Sequence, residues 1–230
     1  EHEDTADMVE WLAQHGLHGD EALRQGLDRP SADEGRGLTN RFEDSSVAVI
    51  DGGGSSVLLM GSLAVDLAYA KARRKGLAVV KVQDCHDRRL MLGYLARCAR
   101  RGMNLMAFWR NSDEPVVVEQ VVSIRAWEDF PTLLLYQIDD RDDNLTRNRS
   151  VTLVASPHFA MLQSLHPDPE EATLLQVLAP EDFAGESRKV WEEGLEVEDD
   201  VWLRLKGLAA RTLVEATEES RRRGAGEGGS

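Results

Sequence analysis

The sequence predicts an α/β to α+β fold, with a strand-helix-strand parallel core unit, a β-rich second half of antiparallel strands and a long C-terminal helix. Three observations point there. Between Val47 and Asn111, short β-branched runs alternate with helical text, the pattern of a βαβ unit. Beyond Asn111, the runs "VVVEQVVSI", "TLLLYQI", "SVTLVAS" and "TLLQVLA" succeed one another with polar turns between them, and strands in such succession pair antiparallel. From Asp200 to Arg222, Trp202, Leu205, Leu208, Ala209 and Leu213 recur at the spacing of one helical face.

Taken in order, Thr5 to His15 places Met8, Val9, Leu12 and Ala13 on one face of an opening helix that stops at Gly16. Gly19 to Phe42 is polar and Gly-containing and reads as a connection with one helical turn around Glu21 to Gln25. Val47 to Ile50 is a strand. The "DGGGSS" after it reads as a turn, because a dinucleotide fingerprint needs G-x-G-x-x-G between strand and helix. Ser62 is expected to cap a helix ending at Lys75, where Arg73, Arg74 and Lys75 complement the negative helix end and Gly76 supplies the left-handed stop. "LAVVKV" is a strand, Arg88 to Arg101 a helix stopped by Gly102, and "MNLMAFW" a further strand. With short links, these three predict a right-handed crossover and a parallel strand pair. His86 then sits at the carboxyl end of a strand, the edge where open α/β sheets bind ligands. A short helix is expected around Phe159 to Leu165. The whole reads as one globular domain over 1–222, divided into an N-terminal helix and connection (1–46), an α/β core unit (47–111), a β-rich part (112–199) and the C-terminal helix (200–222), with 223–230 a flexible Gly-rich tail.

With 230 residues, 42% hydrophobic and 30% charged, the chain can bury one full core. A formal charge of −14 and a pI near 4.9 argue against nucleic acid or an anionic membrane as partner, since both need a basic face. Apolar runs fall short of the roughly 20 residues that span a bilayer, and no basic segment leads into an apolar one at the start, so a cytoplasmic location is expected. Cys85 and Cys98 are too few for a disulfide framework and fit no zinc spacing, and are expected as reduced thiols. The acidic stretches "EHEDTAD", "IDDRDDN" and Glu181 to Asp200 read as solvated faces and loops. They contain no spaced oxygen-ligand loop, and no metal site is expected.

Four stretches, in order, resemble the amino-terminal half of the non-Rossmann malate/L-lactate dehydrogenase superfamily, which includes sulfolactate and ureidoglycolate dehydrogenases and cyclic-imine reductases. "QHGLHGDEALRQG" is similar to its Ser-His-Gly segment, "VAVIDGGG" to its Val-Asp-Gly strand end, "LAVDLAYAKARRKGLAVVKVQDCH" to its helix, Gly, strand and His, and "LGYLARCARRGMNLMAFWRN" to its Gly-Tyr helix, Gly, strand and Asn. The resemblance implies NAD or NADP as cofactor, a homodimer or a heteromer with a related subunit, His15 as catalytic proton donor, and His86, Tyr94 and Asn111 near the cofactor. The chain departs from the pattern at Gln14 for the serine, at Gly19 for an arginine, in a longer spacing from His86 to Gly93, and in lacking the family's later Pro-x-Gly-Gly, Gly-Thr-Asn-Pro and His-Lys-Gly motifs. The ending "ARTLVEATEESRRRGAGEG" resembles that of a family of short uncharacterised bacterial proteins.

Hydride reduction of a carbonyl or imine needs a proton at the developing alkoxide or amine, and a histidine titrating near neutrality suits that task. His15, with His18 as second candidate, fits it; the competing reading is a surface histidine closing a helix. His86 is either a cofactor contact or a loop histidine bonded to nearby backbone. Arg24 is the candidate anchor for a substrate carboxylate, or a helix-surface arginine. Cys85 beside His86 invites thiolate chemistry, but neighbours on an extended chain point opposite ways. Arg97, Arg100 and Arg101, with Arg73, Arg74 and Lys75, form two basic helix ends that suit either the helix dipole or an anionic ligand. Two functions remain open: a divergent NAD(P)-dependent oxidoreductase of a small 2-oxo acid or cyclic imine, and a non-catalytic relative serving as a binding protein or silent subunit.

Overall fold

The computed structural model describes residues 2–19, 21, 22, 24, 38–111, 117–138, 149–158 and 172–212, which fall in two compact units, 1–195 and 196–230. In the first unit the elements are α1 (His2–Gln14), β1 (Thr39–Glu43), β2 (Val47–Ser56), α2 (Val57–Lys75), β3 (Ala78–His86), a single 3₁₀ turn (Arg88–Leu90), α3 (Met91–Ala99), β4 (Asn104–Arg110), β5 (Val117–Ile124), β6 (Thr132–Ile138), β7 (Val151–Ser156), β8 (Ala172–Leu178) and α4 (Pro180–Glu193). The second unit contains α5 (Asp199–Thr212), in which Trp202 of the predicted apolar stripe is half exposed with Lys206 Nζ 5.7 Å from its ring centroid. The side chains of Leu208 and Ala209, residue Leu213 and the predicted helix at Phe159 to Leu165 lie outside the described residues.

The strands form one sheet in the order β1-β2-β3-β7-β4-β5-β6-β8. Among the described strands only β2 and β3 pair in parallel. This corrects the expected parallel pairing of the strands flanking α3: β7 lies between β3 and β4, antiparallel to each. β3 and β4 still run in the same direction, so the carboxyl ends of β2, β3 and β4 share one sheet edge. One register row crosses these eight strands, through Asn40, Ile50, Val82, Val151, Trp109, Gln120, Leu135 and Gln176. Its central residues, from Ile50 to Gln120, are buried on the face that α1, α2 and α3 cover. The opposite face gathers Met106, Val121, Leu134 and Tyr136 into a smaller apolar cluster.

The local chemistry accounts for the elements and for four further differences from expectation. Thr39 to Phe42, expected as connection, is part of an exposed edge strand whose charged side chains are held by Arg41–Asp51 and Lys71–Glu43 ion pairs. "DGGGSS" belongs to β2: the ladder with β3 breaks between Asp51 and Ser55, where Gly53 and Gly54 take positive φ, and resumes at Ser55 and Ser56. Ser56, not Ser62, caps α2, its hydroxyl accepting from Leu58 N at 3.3 Å. The acidic stretch Glu181 to Asp200, expected as solvated faces and loops, is solvated but largely helical, most of it belonging to α4. Pro180 opens that helix, and Asp182 Oδ2 accepts Ala179 N at 2.8 Å. The expected stops hold, with Gly16, Gly76 and Gly102 all at positive φ.

Helix α3 crosses close over α2 because Gly61 has no side chain: an added Cβ would stand 2.5 Å from Tyr94 Cε2. Gly61→Val is therefore expected to cost about 1–3 kcal/mol through overpacking, read as a lowered midpoint in urea unfolding. Leu63→Ala, at a half-exposed position on the same helix, should shift stability by no more than about 0.5 kcal/mol.

Candidate functional site

The last turn of α1 delivers His15 into the protein. Met8 and Leu12 bury the helix against α3, and Gly16, at φ 70°, turns the chain so that Leu17 N returns to Leu12 O at 3.0 Å. His15 is left 6% exposed, stacked on Trp11 at 4.2 Å between ring centroids and 27° between planes, with Phe130 at 5.4 Å and Phe183 at 6.4 Å. Its Nδ1 lies 2.5 Å from Trp11 O. A carbonyl oxygen only accepts, so Nδ1 bears the proton and Nε2 carries the lone pair in the neutral ring. Burial holds the pKa of His15 below its ordinary value near 6.5; the Trp11 carbonyl offsets part of this, and the charge of Arg100 adds to the depression.

His15 lines a cleft of about 740 Å³. Its sheet side presents Leu133 and Leu135 of β6 with Gln176 and Leu178 of β8; Phe183, Glu181, Asp182 and Glu186 come from α4, and Arg89 from the turn after β3. Small-molecule sites combine apolar walls with a few polar groups at this scale, roughly 300–1,000 Å³. His18 also lines the cleft but is exposed, with φ 52°.

A second group of residues stands at the carboxyl edge of the parallel pair. His86 is in register with Ser56, the cap of α2, and its Nδ1 lies 2.7 Å from Asp87 Oδ2. Arg88 joins two strand ends across the start of β7, donating to Cys85 O and to Arg110 O, each at 2.8 Å. Asn111 comes directly after β4, exchanging bonds with Val118: its Oδ1 accepts Val118 N at 2.6 Å and its backbone N donates to Val118 O at 3.0 Å. Gly54, at φ 83°, lies beside the Asp84–Arg149 ion pair: an added Cβ would meet Asp84 Oδ2 at 3.7 Å and Arg149 Nη2 at 3.8 Å.

The structure thus separates the residues singled out from sequence. His86 and Asn111 belong to one sheet edge, while His15 lines the cleft with Arg89. Arg24 is not brought to either group; its side chain is 42% exposed and 4.0 Å from Glu21 Oε1, one turn earlier. Tyr94 is buried in the helix layer, its hydroxyl donating to Leu58 O at 3.3 Å. Cys85 is buried and its thiol is pushed up to about 12, mainly by desolvation, which leaves no thiolate at neutral pH. Arg89 and Phe183 were not anticipated. The available signals were the position of Arg89 just past a strand's carboxyl end and the Ala-Pro-Glu-Asp helix start ahead of Phe183.

No protein-family model matches the chain and no curated protein matches it in sequence. Solved structures do match its fold. A putative malate/lactate dehydrogenase from E. coli superposes with a TM-score of 0.58 at 14% identity, covering 95% of this chain and 90% of that one. Sulfolactate dehydrogenase from Methanocaldococcus jannaschii gives 0.57 at 12%, covering 90% and 89%. Delta1-piperideine-2-carboxylate reductase from Pseudomonas syringae gives 0.57 at 12%, covering 89% and 91%. The chain therefore has the malate/lactate dehydrogenase-like fold.

A histidine with a depressed folded-state pKa costs stability in acid, because the unfolded chain takes up its proton first as pH falls. The contribution is intact above the unfolded value near 6.5 and is lost as pH falls through the lower folded value. Between pH 7 and pH 5 the wild-type unfolding free energy should therefore decline more steeply than that of His15→Phe. Parallel pH profiles for the two proteins in urea would refute the assignment.

Proposed function

We propose that the chain is a divergent NAD(P)-dependent oxidoreductase acting on a small 2-oxo acid or cyclic imine, with His15 as its proton donor and acceptor. One observation carries the reading: a desolvated histidine of fixed tautomer lines a cleft of small-molecule size in a dehydrogenase-like fold. In the reducing direction the protonated ring gives up its Nε2 proton to the developing alkoxide or amine. The tautomer left behind, with its proton on Nδ1, is the one the Trp11 carbonyl holds. Burial makes the imidazolium a stronger acid than an exposed one, which favours that transfer. In the oxidising direction Nε2 takes the proton back from the hydroxyl.

A nicotinamide cofactor supplies the hydride when bound. Two features of the sheet edge support this reading: α2 begins there with no acidic residue in its first turn, and His86 stands in register with its cap, Ser56. The amides at the start of α2 suit the negative pyrophosphate, and His86 and Asn111 are the side chains proposed to hold the remainder.

Titration with NADH and then NADPH, monitored by tryptophan fluorescence, tests the reading. Saturable quenching that is lost in a folded His86→Ala variant is the expected result. His15→Ala should lower turnover by roughly 10²–10⁴-fold, the scale of a lost general acid or base, without preventing folding. If neither nucleotide binds to the folded protein, the non-catalytic reading, a binding protein or silent subunit, takes its place.

A further inference from the structure

We infer that the buried side-chain amide of Gln120 is kept without a protein partner so that its oxygen can accept a hydrogen bond from the carboxamide N–H of a bound nicotinamide, which makes Gln120 a positioning residue between the sheet edge and the His15 cleft. The inference rests on the oxidoreductase reading.

Gln120 is 7% exposed, and its Oε1 is buried with no hydrogen-bond partner among the described residues. Glutamine is a side chain that proteins mostly leave at the surface, and a buried amide oxygen without a partner costs stability. Native cores keep few such groups, and each needs a reason. Packing does not supply one. The cross-strand neighbours of Gln120 are Trp109 and Leu135, and Val122 follows two residues on along the same face, all three packed in the main apolar core. An apolar side chain of similar size would suit these neighbours better.

The place of Gln120 in the sheet does supply one. On one side, Trp109 leads through Arg110 into Asn111, whose Oδ1 accepts the backbone N–H of Val118, two residues before Gln120. On the other, Leu135 and, one strand further, Gln176 line the cleft with His15. Gln120 therefore stands between the side chains proposed to hold the cofactor and the histidine proposed to move the proton, the region where hydride donor and acceptor must be brought together. An amide oxygen only accepts, so its partner must carry an N–H or O–H. An ionised 2-oxo acid offers none, and the nitrogen of an imine is already served by His15. The carboxamide of a nicotinamide carries two N–H donors. A group that weakens the empty protein and bonds the ligand is the trade of stability for function that binding sites make.

Gln120→Met tests this, because it removes the amide at nearly constant volume. Without nucleotide the variant should unfold at a higher urea midpoint than the wild type, since the unpaired oxygen is gone. In fluorescence titrations it should bind NADH, or NADPH where the wild type takes that nucleotide, about 3- to 10-fold more weakly, the worth of one neutral hydrogen bond. The 3-acetylpyridine analogue of the same nucleotide has a methyl ketone in place of the carboxamide and so lacks the N–H donors. It should bind both proteins alike, and bind the wild type more weakly than the parent nucleotide by the same factor. The comparison of the two nucleotides on the wild type needs no substitution and stands even where the variant fails to fold. A lowered urea midpoint in the folded variant, which would reveal a structural partner or a resident water, equal nucleotide binding by wild type and variant, or no preference of the wild type for the carboxamide would each overturn the inference. Nucleotide that binds both proteins equally sinks the inference alone and leaves the oxidoreductase reading in place. No binding of either nucleotide to the folded wild type sinks that reading and the inference with it.

Discussion

The architecture depends on the double ladder of β7. Val151–Ser156 bonds to β3 on one side and to β4 on the other, both antiparallel, and so joins the α/β part of the chain to its β-rich part within one sheet. Each polar backbone group of a central strand needs a partner, and here both flanking partners come from sequence more than 40 residues upstream. The insertion spaces the ends of β3 and β4 one strand apart, a gap that Arg88 spans with its two bonds to Cys85 O and Arg110 O. It also continues the row of side chains from Val82 through Trp109 and Gln120 to Leu135, where the cleft begins.

The features legible in the sequence are mainly local ones. Helix stops at Gly16, Gly76 and Gly102, the β runs of the second half and the placing of His86 at a strand end stem from short-range chemistry, and the structure has them. The position of β7 is not legible, because nothing near residues 151–156 encodes which distant edges they join. Edge strand β1 escapes notice because all five of its residues are exposed and show no alternation. The start of α2 is misplaced at Ser62 because its first turn, Val57–Met60, is apolar throughout and comes after a glycine run, so the periodic signal begins late. Helix α4 resembles solvated text since only Phe183 among its residues is buried.

For the candidate site the division is similar. His15 is legible from its place at a helix end and from the motif around it. The aromatic enclosure that changes its chemistry is not, since Trp11 is one turn away but Phe130 and Phe183 come from distant sequence. Arg88 and Arg89 are indistinguishable as text. Only the turn set by Asp87 sends one to the strand ends and the other to the cleft. Arg24, singled out because a guanidinium matches a carboxylate, lies near Glu21 and does not line the cleft, a placement its chemistry alone does not reveal.

The place of β7 also has a consequence for biogenesis. A chain emerging from the ribosome completes β2, β3 and β4 well before Val151 exists, so during synthesis β3 and β4 each present an unpaired edge toward the same vacant slot. Both strands bury apolar side chains such as Val80, Val82, Leu105 and Ala107, and edges of that kind are where nascent chains associate wrongly. Closure of the sheet must wait for a long-range pairing, which makes it a late and entropically costly step. Pairing of Val151–Ser156 with both strands is thus the step that covers these two edges and joins the halves of the sheet.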